Sequence, residues 1–255
     1  MKPVDIAAPV SLLRAPIERA LDTNGYWAGV HPLATDPEAG LLALARSLGE
    51  LYVPEGCDPS APVLYTRPTL DPDAAPFDRR EPIGWHGDFA SHDDRPEISL
   101  VYVSRSDPAG DLAGAWRLAS VGPLIERLGS TPEGRCAVEM LTSEMLPFSY
   151  AKGKPVRWFR AIETQSGSGA ARMRFYEPSI VRGCLAAFRD VPAPVAQALR
   201  LVKAAADEIA EVRPTPAGSL LVINNWTALH DRVEQSVIGG GEDREALLAF
   251  IARRR

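Results

Sequence analysis

Apolar positions along the chain fall into short runs of strand character, broken by a few longer stretches whose apolar residues recur at helical spacing. Val63–Thr66, Ile98–Val103, Trp116–Ala119, Ser219–Ile223 and Leu247–Ile251 are rich in β-branched or aromatic residues and read as strands. Val156–Glu163 and Ala171–Tyr176 read as the arms of a hairpin, joined by the flexible run Gln165-Ser166-Gly167-Ser168-Gly169. A helix is predicted after Asp36-Pro37-Glu38, where an Asp cap and an N-terminal Pro precede Leu41, Leu42, Leu44, Ala45 and Leu48, with Gly49 to end it. Pro123–Leu128 reads as a short helix. Pro194–Val212 is the clearest one, with Val195, Leu199, Val202 and Ile209 on one face and Pro214 beyond its end. Glu55–Pro82 is rich in Pro and Asp and reads as a loop, either an ordinary surface connection or a cover over a site. Many short strands with a few flanking helices predict a mainly β fold of double-sheet, jelly-roll type. No internal repeat or linker interrupts the pattern, so residues 1–255 are expected to form a single domain.

Composition narrows the function classes. Hydrophobic residues make up 45% and charged residues 24% of 255, an ordinary globular balance with enough chain for a sizeable core. The net charge is −5 without a long Lys/Arg block, which argues against nucleic acid as a partner, and Arg253-Arg254-Arg255 is expected to be a solvated tail. Met1–Ala20 lacks the apolar core of a signal peptide, and no apolar run nears the ~18 residues of a membrane span, so a cytoplasmic protein is expected. Cys57, Cys136 and Cys184 are odd in number and widely spaced, which predicts reduced, buried or partly buried thiols and no zinc site.

Candidate chemistry centres on the histidines, His31, His86, His92 and His230. Two of them open a His-x-Asp sequence, His86-Gly87-Asp88 and His92-Asp93-Asp94. Residues i and i+2 on an extended backbone point the same way, so either pair can present two ligands to one metal. His86 and Asp88 follow the apolar Ile83 and Trp85, and Gly87 leaves room for a substrate; His92 sits in a charged run suited to a solvated loop. The first pair is therefore preferred. His230 follows an apolar strand in Ala228-Leu229-His230. An early His-x-Asp and a late His after a strand are what two neighbouring strands need to close one site. Each histidine alone is more often structural. Together, His86, Asp88 and His230 supply the two-His, one-carboxylate set of a non-haem Fe(II) facial triad. Asp231 and Arg232 either orient His230 or are surface charges.

Two blocks of ordered motifs carry a family resemblance. The first is Trp85-His86-Gly87-Asp88, then Arg95-Pro96 leading into Ile98–Val103, then Asp107-Pro108-Ala109-Gly110. The second is Asn224-Asn225, His230-x-Arg232, and Asp243-Arg244 leading into Glu245-Ala246-Leu247-Leu248. In these the chain resembles the Fe(II)- and 2-oxoglutarate-dependent oxygenases of the taurine dioxygenase and clavaminate synthase-like group. The resemblance is thin between Leu128 and Pro214. It implies a double-stranded β-helix, Fe(II) held by His86, Asp88 and His230, and 2-oxoglutarate with its distal carboxylate on Arg244. A guanidinium fork suits that role because it binds a carboxylate through two parallel hydrogen bonds and stays charged. The implied reaction is hydroxylation of a small polar or amino-acid-like molecule with O₂, releasing succinate and CO₂. Asp88 favours oxygenation, since related halogenases carry a small residue there. One departure stands out: Gly110-Asp111-Leu112-Ala113-Gly114-Ala115-Trp116 lacks the Thr of the family's Gly-Gly-x-Thr run, which leaves the second carboxylate contact unassigned.

Arg157, Trp158 and Arg160, with Arg174 and Tyr176, are candidates to line a pocket for an anionic or amino-acid-like substrate; alternating strand residues facing solvent explain them equally. Two other classes stay open. One is a cupin-like metalloenzyme using the same triad without 2-oxoglutarate, and the other a non-catalytic β-sandwich binding module with incidental histidines.

Overall fold

The computed structural model describes residues 11–33, 36–55, 57–164, 170–239 and 241–254. In chain order the elements begin with α1 (Ser11–Asn24), β1 (Tyr26–Val30), α2 (Pro37–Leu48), β2 (Gly49–Tyr52), β3 (Leu64–Thr66), β4 (Ile98–Arg105) and β5 (Trp116–Ser120). Next come α3 (Val121–Gly129), α4 (Pro132–Ser143), β6 (Leu146–Phe148), β7 (Arg157–Phe159), β8 (Ile162–Thr164) and β9 (Ala171–Met173). The last part holds α5 (Glu177–Phe188), α6 (Ala193–Ile209), β10 (Glu211–Arg213), β11 (Ser219–Asn224), β12 (Ala228–Arg232) and β13 (Glu245–Arg254).

The larger sheet is antiparallel in the order β1-β11-β4-β13-β2, with β3 pairing a second stretch of β13. Its central strands read as unbroken apolar runs because both faces are covered. Leu100, Leu220, Val222, Leu247 and Ala249 pack outward against Ile17 and Leu21 of α1 and Leu41 and Leu44 of α2. Their alternates Val103, Leu221 and Ile223 turn inward, onto Trp116, Leu118 and Ala228 of a smaller sheet ordered β10-β5-β12. Each such aliphatic side chain contributes roughly 1.5–3 kcal/mol on burial. A third layer of α3 to α6 closes over Phe148 and Phe175 through Leu124, Leu141, Ile180, Leu199 and Val202. Two antiparallel sheets face each other and helices flank them, as the jelly-roll expectation requires.

Several local expectations are corrected. The arm predicted over Val156–Glu163 divides in two: β7 pairs with β6, and only β8 pairs with β9 as a hairpin. Its connection, residues 165–169, lies outside the described residues. The helix predicted to Val212 stops at Ile209, because residues 211–213 pair with β5 instead. Three helices have no counterpart in the sequence reading. The buried faces of α4 (Gly134, Ala137, Leu141) and α5 (Ser179, Ile180, Gly183, Cys184) consist mainly of small residues, so no apolar stripe announces them, and α1 carries Pro16 in its interior. Arg253 and Arg254 are not a solvated tail: they end β13, and the Arg254 backbone N–H donates to Glu97 (3.0 Å). Arg255 lies outside the described residues. Of the three free cysteines, Cys184 is buried and Cys57 half-buried, but Cys136 is exposed on α4. Among the described residues no helix is long and apolar enough to cross a membrane.

Candidate metal centre and its cavity

His86 reaches its place through backbone pairing. It exchanges two hydrogen bonds with His230 (N–H to carbonyl, 2.9 Å each way) and also bridges Tyr176, which extends the smaller sheet beyond β12. The two rings therefore stand side by side, centroids 4.1 Å apart. Asp88 completes the group. Its Oδ1 lies 3.4 Å from His86 Nε2 and its Oδ2 3.7 Å from His230 Nε2. One ligand atom from each of the three residues falls within 4.8 Å of the others, a separation that one metal ion can bridge. Both histidines are buried.

Surrounding groups fix these ligands. The carbonyl of Gly84 accepts from His86 Nδ1 (2.8 Å), which leaves the Nε2 lone pair facing Asp88 and the cavity. Asp231 in turn accepts from the Gly84 N–H (2.8 Å) and from Arg117 (3.2 Å). Buried Asp231 thus orients the site and is not a surface charge. Asn225, wholly buried, accepts from the Asp88 N–H (3.0 Å) while its amide donates to Ser99 Oγ (2.8 Å) and to the Pro96 carbonyl (3.3 Å). Gly87 has a tighter reason to be glycine than substrate access: a Cβ there would sit 2.9 Å from the Asn225 carbonyl oxygen. Phe89 then adopts φ 54°, a strained region for an aromatic residue, and lodges its ring edge-on against Phe250, His92 and Tyr52.

Electrostatics follow from the crowding. Burial pushes the Asp88 carboxyl up, but His230, His86 and a hydrogen bond from Ser99 outweigh it and hold the group well below the usual carboxylate range. Burial and the neighbouring His86 push His230 down to about 3, so it is a neutral donor. For His86 burial works downward, and Asp88 more than offsets it. The arrangement is a carboxylate between two imidazoles, ready for a divalent cation.

The three side chains open into a cavity of about 310 Å³. Arg244, at the start of β13, lies in the same cavity. It is buried, and its Nε and Nη2 have no hydrogen-bond partner among the described residues. Burial, joined by the charge of Arg232, pushes its pKa down to about 10. Gly114 (φ 69°) makes space for it, since a Cβ there would sit 3.0 Å from Arg244 Cδ and Nε. A buried cation with free N–H groups facing a cavity is a site for an anion. Arg232 also lines the cavity, but its Nη atoms donate to the carbonyls of Arg79, Arg80, Glu81 and Val233, so its role is structural.

The sequence-predicted residues thus divide. The structure brings together His86, Asp88, His230 and Arg244. It does not bring Arg157, Trp158 or Arg160 to them. Arg157 pairs with Asp93 (3.2 Å), Trp158 is exposed against Phe188, and Arg160 is exposed; none lines the cavity. Arg157 and Trp158 lie on β7, in a two-stranded sheet with β6, and Arg160 follows that strand. Arg174 is buried beneath the site, donating to the carbonyls of Ala90 (2.9 Å) and His92 (2.6 Å). Tyr176 does line the cavity, and so do Thr66 of β3 and Phe77 from the Glu55–Pro82 segment. Sequence reasoning missed Asn225, Thr66 and Arg182 as site residues; the Asn224-Asn225 pair beside the second block was the one signal for the first.

No family model matches the chain, and no curated protein does. Solved structures match its fold. An asparagine oxygenase in complex with Fe(II), 2S,3S-3-hydroxyasparagine and succinate aligns with TM-score 0.75 at 18% identity, covering 94% of this chain and 79% of that one. The non-haem iron oxygenase OrfP in complex with Fe and α-ketoglutaric acid aligns at 0.69 and 15%, covering 95% and 78%. The PvcB protein from Pseudomonas aeruginosa aligns at 0.67 and 15%, covering 95% and 80%. The chain has the double-stranded β-helix fold of these non-haem iron oxygenases.

Proposed function

We propose that the protein is an Fe(II)- and 2-oxoglutarate-dependent oxygenase that hydroxylates a small polar or amino-acid-like molecule. Substrate, O₂ and 2-oxoglutarate give hydroxylated product, succinate and CO₂. The observation that carries this reading is the buried Arg244, with unpaired N–H groups, in the same cavity as the three clustered metal-ligand side chains. Those residues fit both groups: two imidazole nitrogens and a carboxylate for the metal, and a guanidinium for a carboxylate.

Fe(II) and 2-oxoglutarate, when bound, supply O₂ activation and oxidation of a substrate C–H bond. The chain's own residues do the rest. His86, Asp88 and His230 would hold the metal at the wall of the cavity. Gly84 and Asp231 keep the His86 lone pair aimed, and Asn225 holds the Asp88 backbone. Arg244 takes the distal carboxylate of 2-oxoglutarate. Thr66, on β3 opposite Ala246, supplies the hydroxyl that the Gly110–Trp116 loop lacks. The apolar walls exclude water from the reacting centre. The reading takes the whole chain as one catalytic domain in the cytoplasm; the ligands bound to the matched oxygenases, Fe, succinate, and hydroxylated asparagine or arginine, support the chemistry.

The cupin-like alternative gives Arg244 no anion to bind, and a binding module gives no reason for the three ligand residues to converge. Calorimetric titration of 2-oxoglutarate into anaerobic Fe(II)-loaded protein tests the reading. One site that requires the metal and vanishes in Arg244→Ala is expected; metal binding without 2-oxoglutarate binding overturns it.

A further inference from the structure

Resting on the oxygenase reading, we propose that the substrate is a carboxylate with an apolar body and no free ammonium group, and that Arg182 holds its carboxylate. Few charges face the cavity. Among the described residues lining it, Asp88 is the sole acidic side chain, against the cations Arg182, Arg232 and Arg244. Three of these four are committed. Asp88 lies between the two histidines. Arg232 is spent on backbone carbonyls. Arg244 faces the co-substrate. Arg182 remains.

The Arg182 guanidinium is held in place before any ligand arrives. Its Nε donates to the Ser149 carbonyl (3.1 Å) and its Nη2 to the Tyr150 carbonyl (2.9 Å), while Nη1 has no acceptor among the described residues and is left for a ligand. A cation fixed through two of its nitrogens loses little freedom when it binds an anion. It also stands on the correct side of the cavity. Arg182 projects from α5, whose N-cap is Tyr176, and the Tyr176 ring lies 5.7 Å from that of His86. The Arg182 charge is near enough to oppose the burial that pushes the Tyr176 phenol up.

Much of the remaining lining is apolar, formed by Phe77, Ile83, Phe89, Val101, Leu221 and Phe250. An ammonium group brought here would lose its hydration and find no uncommitted carboxylate among the described lining residues in return. His92 offers an ammonium no counter-charge either, since an imidazole is neutral or cationic. A carboxylate, by contrast, meets a charge-assisted donor. Within the amino-acid-like class, the cavity therefore selects molecules whose nitrogen is absent or acylated.

The test uses ligands that share one phenylalkyl body and differ in charge: 3-phenylpropanoate, its neutral amide, L-phenylalanine and 2-phenylethylamine. Each is titrated anaerobically into protein already loaded with Fe(II) and 2-oxoglutarate. The anion is expected to bind tightest, roughly tenfold or more above the amide and the zwitterion, with the amine weakest. In Arg182→Gln the anion falls to the level of the amide, and Arg182→Lys recovers part of the difference. The affinity of both variants for 2-oxoglutarate stays at the wild-type value, which also reports an intact fold. Equal or tighter binding of the zwitterion or amine overturns the proposal, as does an anion affinity untouched in Arg182→Gln, or binding of none of the four. These results leave the oxygenase reading standing. Failure of Fe(II) or 2-oxoglutarate to bind at the loading step is the separate result that overturns both.

Discussion

Two stretches of this chain, six residues apart, have the same His-x-Asp pattern and very different surroundings. His86 is pinned by reciprocal backbone bonds to His230, its ring is aimed by the Gly84 carbonyl, and Asp88 is tethered through Asn225. In the second stretch His92 is half-buried at the cavity wall, while Asp93 and Asp94 are exposed, Asp93 pairing with Arg157. No third ligand stands near it among the described residues. Spacing alone therefore does not make a metal site. Register with a second strand, a held tautomer and partial desolvation do, and only the first stretch has them.

The largest expected contrast is between the two carboxylates. Asp88→Ala removes a ligand and abolishes measurable Fe(II) binding in anaerobic calorimetry, while Asp94→Ala leaves it unchanged; equal losses would erase the distinction. Next is Arg244→Met. Its loss weakens 2-oxoglutarate binding by about 2–5 kcal/mol. Denaturant unfolding of the metal-free protein should move the other way, with a gain of about 1–3 kcal/mol, because an unpaired buried cation is replaced by an apolar chain. A simple fall in stability would mean that Arg244 has a structural partner. Asn225→Ala is expected to weaken the metal by roughly 10–100-fold without touching a ligand, since Asp88 loses its tether. The analogous weakening must be absent from Asp94→Ala. Thr66→Val has a smaller effect, about 0.5–1.5 kcal/mol on 2-oxoglutarate affinity and none on Fe(II). Arg160→Ala should change neither affinity, and its unfolding free energy should stay within about 0.5 kcal/mol of wild type.

What the sequence made legible follows from the range of the interactions involved. The central strands were readable because burial on both faces makes Ser219–Ile223 and Leu247–Ile251 apolar throughout. The capped helix at Asp36-Pro37 was readable because its signals lie within one turn. The choice of His86 over His92 was readable from flanking polarity, and Arg244 from the family resemblance. Other features depend on contacts the linear order hides. Asn225 meets Asp88 from 137 positions away. Arg182 sits on a helix with a face of small residues, which carries no apolar period to place it. Thr66 lies in a Pro-rich segment whose register against β13 is set only when the sheet forms. Arg157, Trp158 and Arg160 read as candidates to line a pocket for an anionic or amino-acid-like substrate, with alternating solvent-facing residues as the equal alternative. Which holds depends on where the chain carries them, and none lines the cavity.

The central claim is that the His86–Asp88–His230 cluster and Arg244 form one site for Fe(II) and 2-oxoglutarate. Anaerobic addition of Fe(II) and then 2-oxoglutarate, followed by visible absorption, tests it most directly. The account predicts a metal-to-ligand charge-transfer band that needs both additions, is absent in Asp88→Ala, and in Arg244→Met appears only at much higher 2-oxoglutarate. Fe(II) binding with no band at saturating 2-oxoglutarate would contradict it.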